Sequence, residues 1–160
     1  MLSSIQNVKT DWEGSAPKQP KWNWFKAKPD QLVTQWRTTP CVVDWNADGL
    51  MDIVMLDHEG CLAFFERFTN AKGNLMLKPG QRIFYGSQAS GFDSKHSVMV
   101  DTPGLLRLNV KENGSSGRVK LTITDWNKDG KPDIILNSLN ASVLINKGEK
   151  NGNVYFEEIG

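Results

Sequence analysis

Cys41-Val-Val-Asp-Trp-Asn-Ala-Asp-Gly-Leu-Met-Asp-Ile-Val-Met55 returns without a gap, 81 residues later, as Thr122-Ile-Thr-Asp-Trp-Asn-Lys-Asp-Gly-Lys-Pro-Asp-Ile-Ile-Leu136. Each copy holds a loop of the form Asp-x-Asn-x-Asp-Gly-x-x-Asp between two short apolar runs. Residues 40–43 and 121–124 lead into the loops, and Asp52–Leu56 and Asp133–Leu136 lead out. These runs are too short for helices and are rich in Val, Ile and Leu, so they read as strands. Self-similarity at such a period signals stacked supersecondary units.

The pattern continues outward from the repeat. After the first copy, His58-Glu-Gly60 reads as a turn and Cys61–Phe68 as the next strand. After the second, Ser138-Leu-Asn-Ala141 takes the turn and Ser142–Asn146 the strand, with a last strand over Val154–Glu157. Asn146-Lys-Gly148 and Asn151-Gly152 read as further turns. Between the copies, short strands fit near Gln81–Tyr85 and Leu105–Val110, and Gly86–Thr102 reads as irregular. Asp11–Gln35, rich in Trp, Pro and Lys, reads as a connecting segment. The resulting division is a connecting segment, 1–35; a first loop-bearing unit with an irregular insertion, 36–104; and a second, 105–160.

The bulk composition narrows the class. A chain of 160 residues with 39% hydrophobic residues can build one ordinary core. A formal net charge of +1 gives no argument for nucleic acid or a membrane surface. No apolar run approaches the roughly 18 residues of a membrane span, and Met1–Gly14 lacks the regions of a signal peptide. The two cysteines, Cys41 and Cys61, read as small buried hydrophobes. In a meander of three strands they fall on the outer pair, about 9.6 Å apart, too far for a disulfide.

The loop chemistry points to calcium, which takes six to eight oxygen ligands in a flexible shell. Alternate residues of a tight loop turn inward, which selects Asp44, Asn46 and Asp48 in one copy and Asp125, Asn127 and Asp129 in the other. Gly49 and Gly130 let the backbone turn. The carbonyls of Leu50 and Lys131 follow, and Asp52 and Asp133 close each shell from the next strand. Three carboxylates per loop would repel one another without a cation. An EF-hand starts in the same way but needs Glu at its twelfth position and helices on both sides. Met55 and Leu136 stand there instead, inside strands. A dockerin is rejected on similar grounds.

At these two segments the sequence resembles the FG-GAP/VCBS repeat family. That resemblance implies β-propeller blades, with a calcium loop joining the first two strands of a blade. A wider set of segments is similar to secreted bacterial propellers of the polysaccharide-lyase and rhamnosidase type. They are Trp22-Asn-Trp24, Leu32–Pro40, Leu56-Asp-His-Glu-Gly60 and Gly117-Arg-Val-Lys-Leu121. The expectation is therefore an all-β chain holding two to three blades of a partial propeller. Its partners would be the remaining blades of a longer chain or a second copy, and a poly- or oligosaccharide. The resemblance favours an extracellular or periplasmic location for the full-length form.

Chemistry, where there is any, is expected away from the loops. The loop ends are near-identical, whereas Asp57-His58-Glu59 aligns with the unrelated Ser138-Leu139-Asn140. A strand of six residues puts the two ends roughly 20 Å apart. His58 is the first candidate for an acid–base role, with His96 a weaker second. Arg37 and Arg118, each seven residues ahead of its loop, suit a uronate carboxylate. Trp22, Trp24 and Trp36 suit sugar stacking or the space between blades, and Trp45 and Trp126 read as structural. Three functions stay open: a binding or structural module, a lyase or glycosidase acting on uronate- or rhamnose-containing glycans, and an adhesion module.

Overall fold

A computed structural model describes residues 7–17, 27–35, 37–86, 91–93, 98–100, 104–108, 119–137 and 141–159. All its regular elements are strands. In chain order they are β1 (Cys41–Val43), β2 (Asp52–Leu56), β3 (Leu62–Phe65), β4 (Arg67–Thr69), β5 (Leu75–Leu77), β6 (Phe84–Gly86) and β7 (Gly91–Asp93). Then follow β8 (Val98–Val100), β9 (Gly104–Leu105), β10 (Leu121–Thr124), β11 (Asp133–Leu136), β12 (Val143–Lys150) and β13 (Asn153–Ile159). The expected all-β class holds. Among the described residues the strands form four sheets, none of them closed, and no helix is long and apolar enough to cross a membrane.

The first repeat copy builds a sheet in the order β1-β2-β3. Its two inner runs, Asp-Ile-Val-Met-Leu and Leu-Ala-Phe-Phe, are almost continuously apolar because both faces of the sheet are covered. Alternation sorts the side chains. Val54, Leu56, Leu62 and Phe64 face one way, into a core shared with Phe84, Leu106, Leu121, Ile134, Leu144, Val154 and Phe156. Met55, Ala63 and Phe65 face the other way and meet Leu77.

The second copy lies in a larger sheet of order β10-β11-β12-β13-β6-β9. Here β10 alternates buried and exposed positions, the mark of a sheet covered on one face. Two of its strands come from the middle of the chain. Tyr85 pairs in parallel with Tyr155, and on its other side antiparallel with Leu105. The second sheet therefore draws strands from both sides of residue 104. The segment that carries β6 also touches the first sheet, where Gln81 bridges Phe64. Residues 81–86 thus cross from one sheet to the other.

Several local expectations change. The single strand expected over Cys61–Phe68 is split at Glu66 into β3 and β4, because β4 turns away to pair with β5. Asn146-Lys-Gly148, expected as a turn, lies inside β12 as an irregularity in its pairing with β13. Gly148 absorbs the extra residue with φ 108°. The stretch expected to be irregular contains the β7–β8 pair. The expected connecting segment is docked: Thr10 bridges Leu77, Thr34 bridges Asp57, and Thr10, Val33 and Gln35 are buried. Cys41 and Cys61 are both free thiols, and burial pushes the Cys61 thiol up to about 11 with help from the Asp57 charge.

One contact on the Met55 face yields a direct test. A Cβ at Gly80 would stand 2.6 Å from Cε1 and 2.7 Å from Cζ of Phe65. Phe65 is 1% exposed, so its ring has nowhere to retreat. Gly80→Ala is expected to cost about 1–3 kcal/mol through overpacking, measured by urea denaturation.

Candidate functional site

The two repeated loops occupy equivalent places in their sheets. Each joins the first two strands of its unit: β1 to β2, with Val43 opposite Asp52, and β10 to β11, with Thr124 opposite Asp133. The backbone takes the same path in both. Ala47 and Lys128 sit at φ 58° and 62°, and Gly49 and Gly130 at 86° and 84°. Two left-handed residues, one of them glycine, fold nine residues back on themselves.

The carboxylates hold that path. In the first loop Asp44 accepts the N–H groups of Asp48 and Gly49 at 3.1 and 3.0 Å. In the second, Asp125 accepts those of Asp129 and Gly130, both at 3.0 Å. The side-chain oxygens of Asn46 and Asn127 accept the same Asp48 and Asp129 N–H groups. Asp48 accepts the Leu50 N–H at 2.7 Å, and Asp129 the Lys131 N–H at 2.9 Å. Asp52 and Asp133, both fully buried, reach furthest. Asp52 accepts from Trp45 at 3.0 Å and from Arg67 at 2.7 Å. Asp133 accepts from Trp126 at 2.9 Å and from Asn146 at 2.8 Å. Six backbone-to-side-chain bonds therefore recur one for one.

The loops differ in their surroundings. Lys131 puts its ammonium 3.0 Å from Asp129 and holds that carboxyl below its ordinary range, where the first loop has Leu50. Trp45 packs edge-on against Phe84 with ring centroids 5.1 Å apart. Trp126, expected to be structural as well, is 56% exposed and serves the turn through its backbone N–H, which donates to Asp133.

As metal ligands the loop residues offer only oxygens, the donors calcium prefers. Among the described residues, no group of three or more His, Cys, Asp or Glu side chains is arranged to hold a metal ion. The carboxylates are turned onto backbone N–H groups instead. A carboxylate oxygen that accepts one N–H keeps a second lone pair. The residue types fit calcium, while their arrangement is that of a hydrogen-bonded turn.

No protein-family model, curated protein or solved structure matches this chain. Its chemistry is read from its own residues.

The opposite end of β2 holds a second cluster. His58 is half-buried in the Asp57–Gly60 turn. Arg37, exposed and at φ 64°, precedes Thr38, whose hydroxyl accepts the Leu56 N–H at 3.3 Å. Both candidates thus share the end of the strand away from the loop. Arg118, His96, Trp22, Trp24 and Trp36 lie outside the described residues.

What the sequence reading missed is Arg82. Its Nε meets Asp57 and a terminal nitrogen meets Glu59, each at 2.5 Å. Asp57 is buried and also accepts the N–H groups of Glu59 and Cys61 at 2.8 and 3.1 Å. Arg107 donates to the Glu59 carbonyl at 2.9 Å. This network ties the β2–β3 turn to the segments carrying β6 and β9. Burial of Arg82 opposes its charge, but the bonds to Glu59 and Asp57 outweigh that and raise its pKa.

The Arg82 hydrogen bond holds the Glu59 carboxyl below its ordinary value of 4.5. A depressed carboxylate stabilises the fold above its unfolded pKa, and that contribution is lost as pH falls through the folded value. The acid limb of stability below pH 4.5 is therefore expected to be shallower in Arg82→Met. The effect is small, because Glu59 is half exposed and solvent screens the pair. Urea midpoints between neutral and acid pH measure it.

Proposed function

We infer that this chain is a calcium-binding β-repeat segment of the propeller-blade kind, whose loops use the ion to lock strand pairs. The observation that supports this is the recurrence of five bonds inside two loops 81 residues apart, with a sixth from a later strand to the closing Asp of each. Each loop also gathers three carboxylates, Asp44, Asp48 and Asp52 or Asp125, Asp129 and Asp133, whose mutual repulsion a cation would relieve. In this reading Asp44, Asn46, Asp48 and Asp52 close on one ion, with the Leu50 carbonyl. Asp125, Asn127, Asp129 and Asp133 close on the other, with the Lys131 carbonyl. The Lys131 ammonium competes for Asp129, so the first loop fills first.

The wider assignment, to a carbohydrate-binding or carbohydrate-active protein, rests on the resemblance to secreted lyase and rhamnosidase propellers. Within it, a binding or structural module is favoured over a lyase by one observation. Two arginines reach the His58 turn, and both are engaged within the protein: Arg82 by Asp57 and Glu59, and Arg107 by the Glu59 carbonyl.

The test is melting in millimolar calcium against a chelator, with a magnesium control. At a hundred times its dissociation constant, one ion adds about 2.7 kcal/mol. For a chain of this size that raises Tm by roughly 5–10 °C. Calorimetric titration should show two ions per chain. Identical melting curves in calcium and chelator would overturn the reading.

A further inference from the structure

We propose that the face beside the first loop is a docking groove for an acidic peptide segment of a partner protein that also carries aliphatic side chains. The groove has a volume of about 1160 Å³ and lies between the N-terminal segment, the exit of the first loop and the β4–β5 hairpin.

Its apolar content is the first observation. Six large hydrophobic side chains are exposed among the described residues, and four of them, Val8, Val42, Met51 and Leu75, line this one groove. They are 48–63% exposed. Scattered exposed hydrophobics need no explanation, but a concentration in one concave place marks a contact surface.

Charge is the second observation and selects the occupant. Among the described residues, Lys9, Lys28, Arg67 and Lys72 line the groove against one acid, Asp30. Lys9 offsets Asp30 across 2.9 Å, which leaves three of those cations beside the exposed apolar side chains. The complement is a chain that carries carboxylates and aliphatic side chains together.

The exposed aliphatic groups suit Val, Leu or Ile side chains of a peptide better than the hydroxyls of a sugar.

Fluorescence polarisation with a labelled alternating Glu–Val octapeptide tests the proposal. Saturable binding is expected, weakened by salt and weakened about tenfold or more by Lys28→Glu with Lys72→Glu. Met51→Asp should weaken it comparably. All three positions are exposed or half-exposed, and near-UV circular dichroism confirms that the variants keep their packing. An alternating Lys–Val octapeptide should not bind. Binding of an oligogalacturonate or a poly-Glu octapeptide as tightly as Glu–Val would show a plain anion site and overturn the peptide assignment. No binding of any probe would overturn it as well. A dimer in sedimentation equilibrium that Met51→Asp dissociates would assign the groove to a second copy instead.

Discussion

Asp52→Ala is expected to remove roughly 2–6 kcal/mol of unfolding free energy, measured by urea denaturation in chelator. The carboxylate is fully buried and accepts two backbone N–H groups, from Trp45 and Arg67. Alanine leaves both part-buried donors without their acceptor, at about 1–3 kcal/mol each. Against a total of about 5–15 kcal/mol that is a large fraction. Asp133→Ala should cost less, since only its Asn146 donor is buried and the Trp126 donor belongs to a residue 56% exposed. Asp44→Ala provides the contrast. Its two donors, on Asp48 and Gly49, are exposed and can turn to water, so its cost should be well under that of Asp52→Ala. Equal losses in the two variants would mean that burial is not what gives Asp52 its weight. Work in chelator keeps this result separate from any metal effect.

The Asp52 bond also shows how far the sequence was legible. Asp, Asn and Gly at fixed offsets announce a local hydrogen-bonded loop, because the partners lie within nine residues. The strands flanking that loop, the β1-β2-β3 order and the free cysteines follow from the same local logic. The Asp52 bond to Arg67 does not, since it depends on where β3 ends and β4 begins. Arg82 was illegible for a similar reason. Its partners Asp57 and Glu59 lie more than twenty residues away, and an arginine in what reads as a short strand carries no mark of its ion pairs. The N-terminal segment looked like a linker because its anchors, such as Thr10 on Leu77, show no periodicity. Gly148 misled because a glycine in a bulge and a glycine in a turn look alike in sequence.

Phe84→Ala is expected to cost about 3–5 kcal/mol, the range for truncating a fully buried aromatic ring. Phe84 is 0% exposed and stands between Trp45 at 5.1 Å and Phe156 at 6.1 Å. It joins the ring carried by the first loop to the core of the second sheet. The near-UV circular dichroism should fall as Trp45 loses its packing partner, and the urea midpoint should drop with it. Tyr85→Ala is the control. Its ring is half-buried and meets Tyr155 at 5.7 Å, so a smaller loss is expected. A Phe84→Ala midpoint no lower than that of Tyr85→Ala would show that the shared core does not hinge on this ring.

The parallel pairing of β6 with β13 has a consequence for synthesis. Phe84 finds Val154, and Tyr85 finds Tyr155, across some seventy residues of intervening chain. On a ribosome, residues 84–86 emerge long before their partner exists, with one flank of the strand waiting for a neighbour. Contacts of such long sequence separation form late and slowly. The first sheet, by contrast, pairs residues from Cys41 to Phe65 and can form early. Between the synthesis of Gly86 and that of Val154 the nascent chain should therefore hold one finished layer and one open edge, the interval in which a chaperone has most to protect.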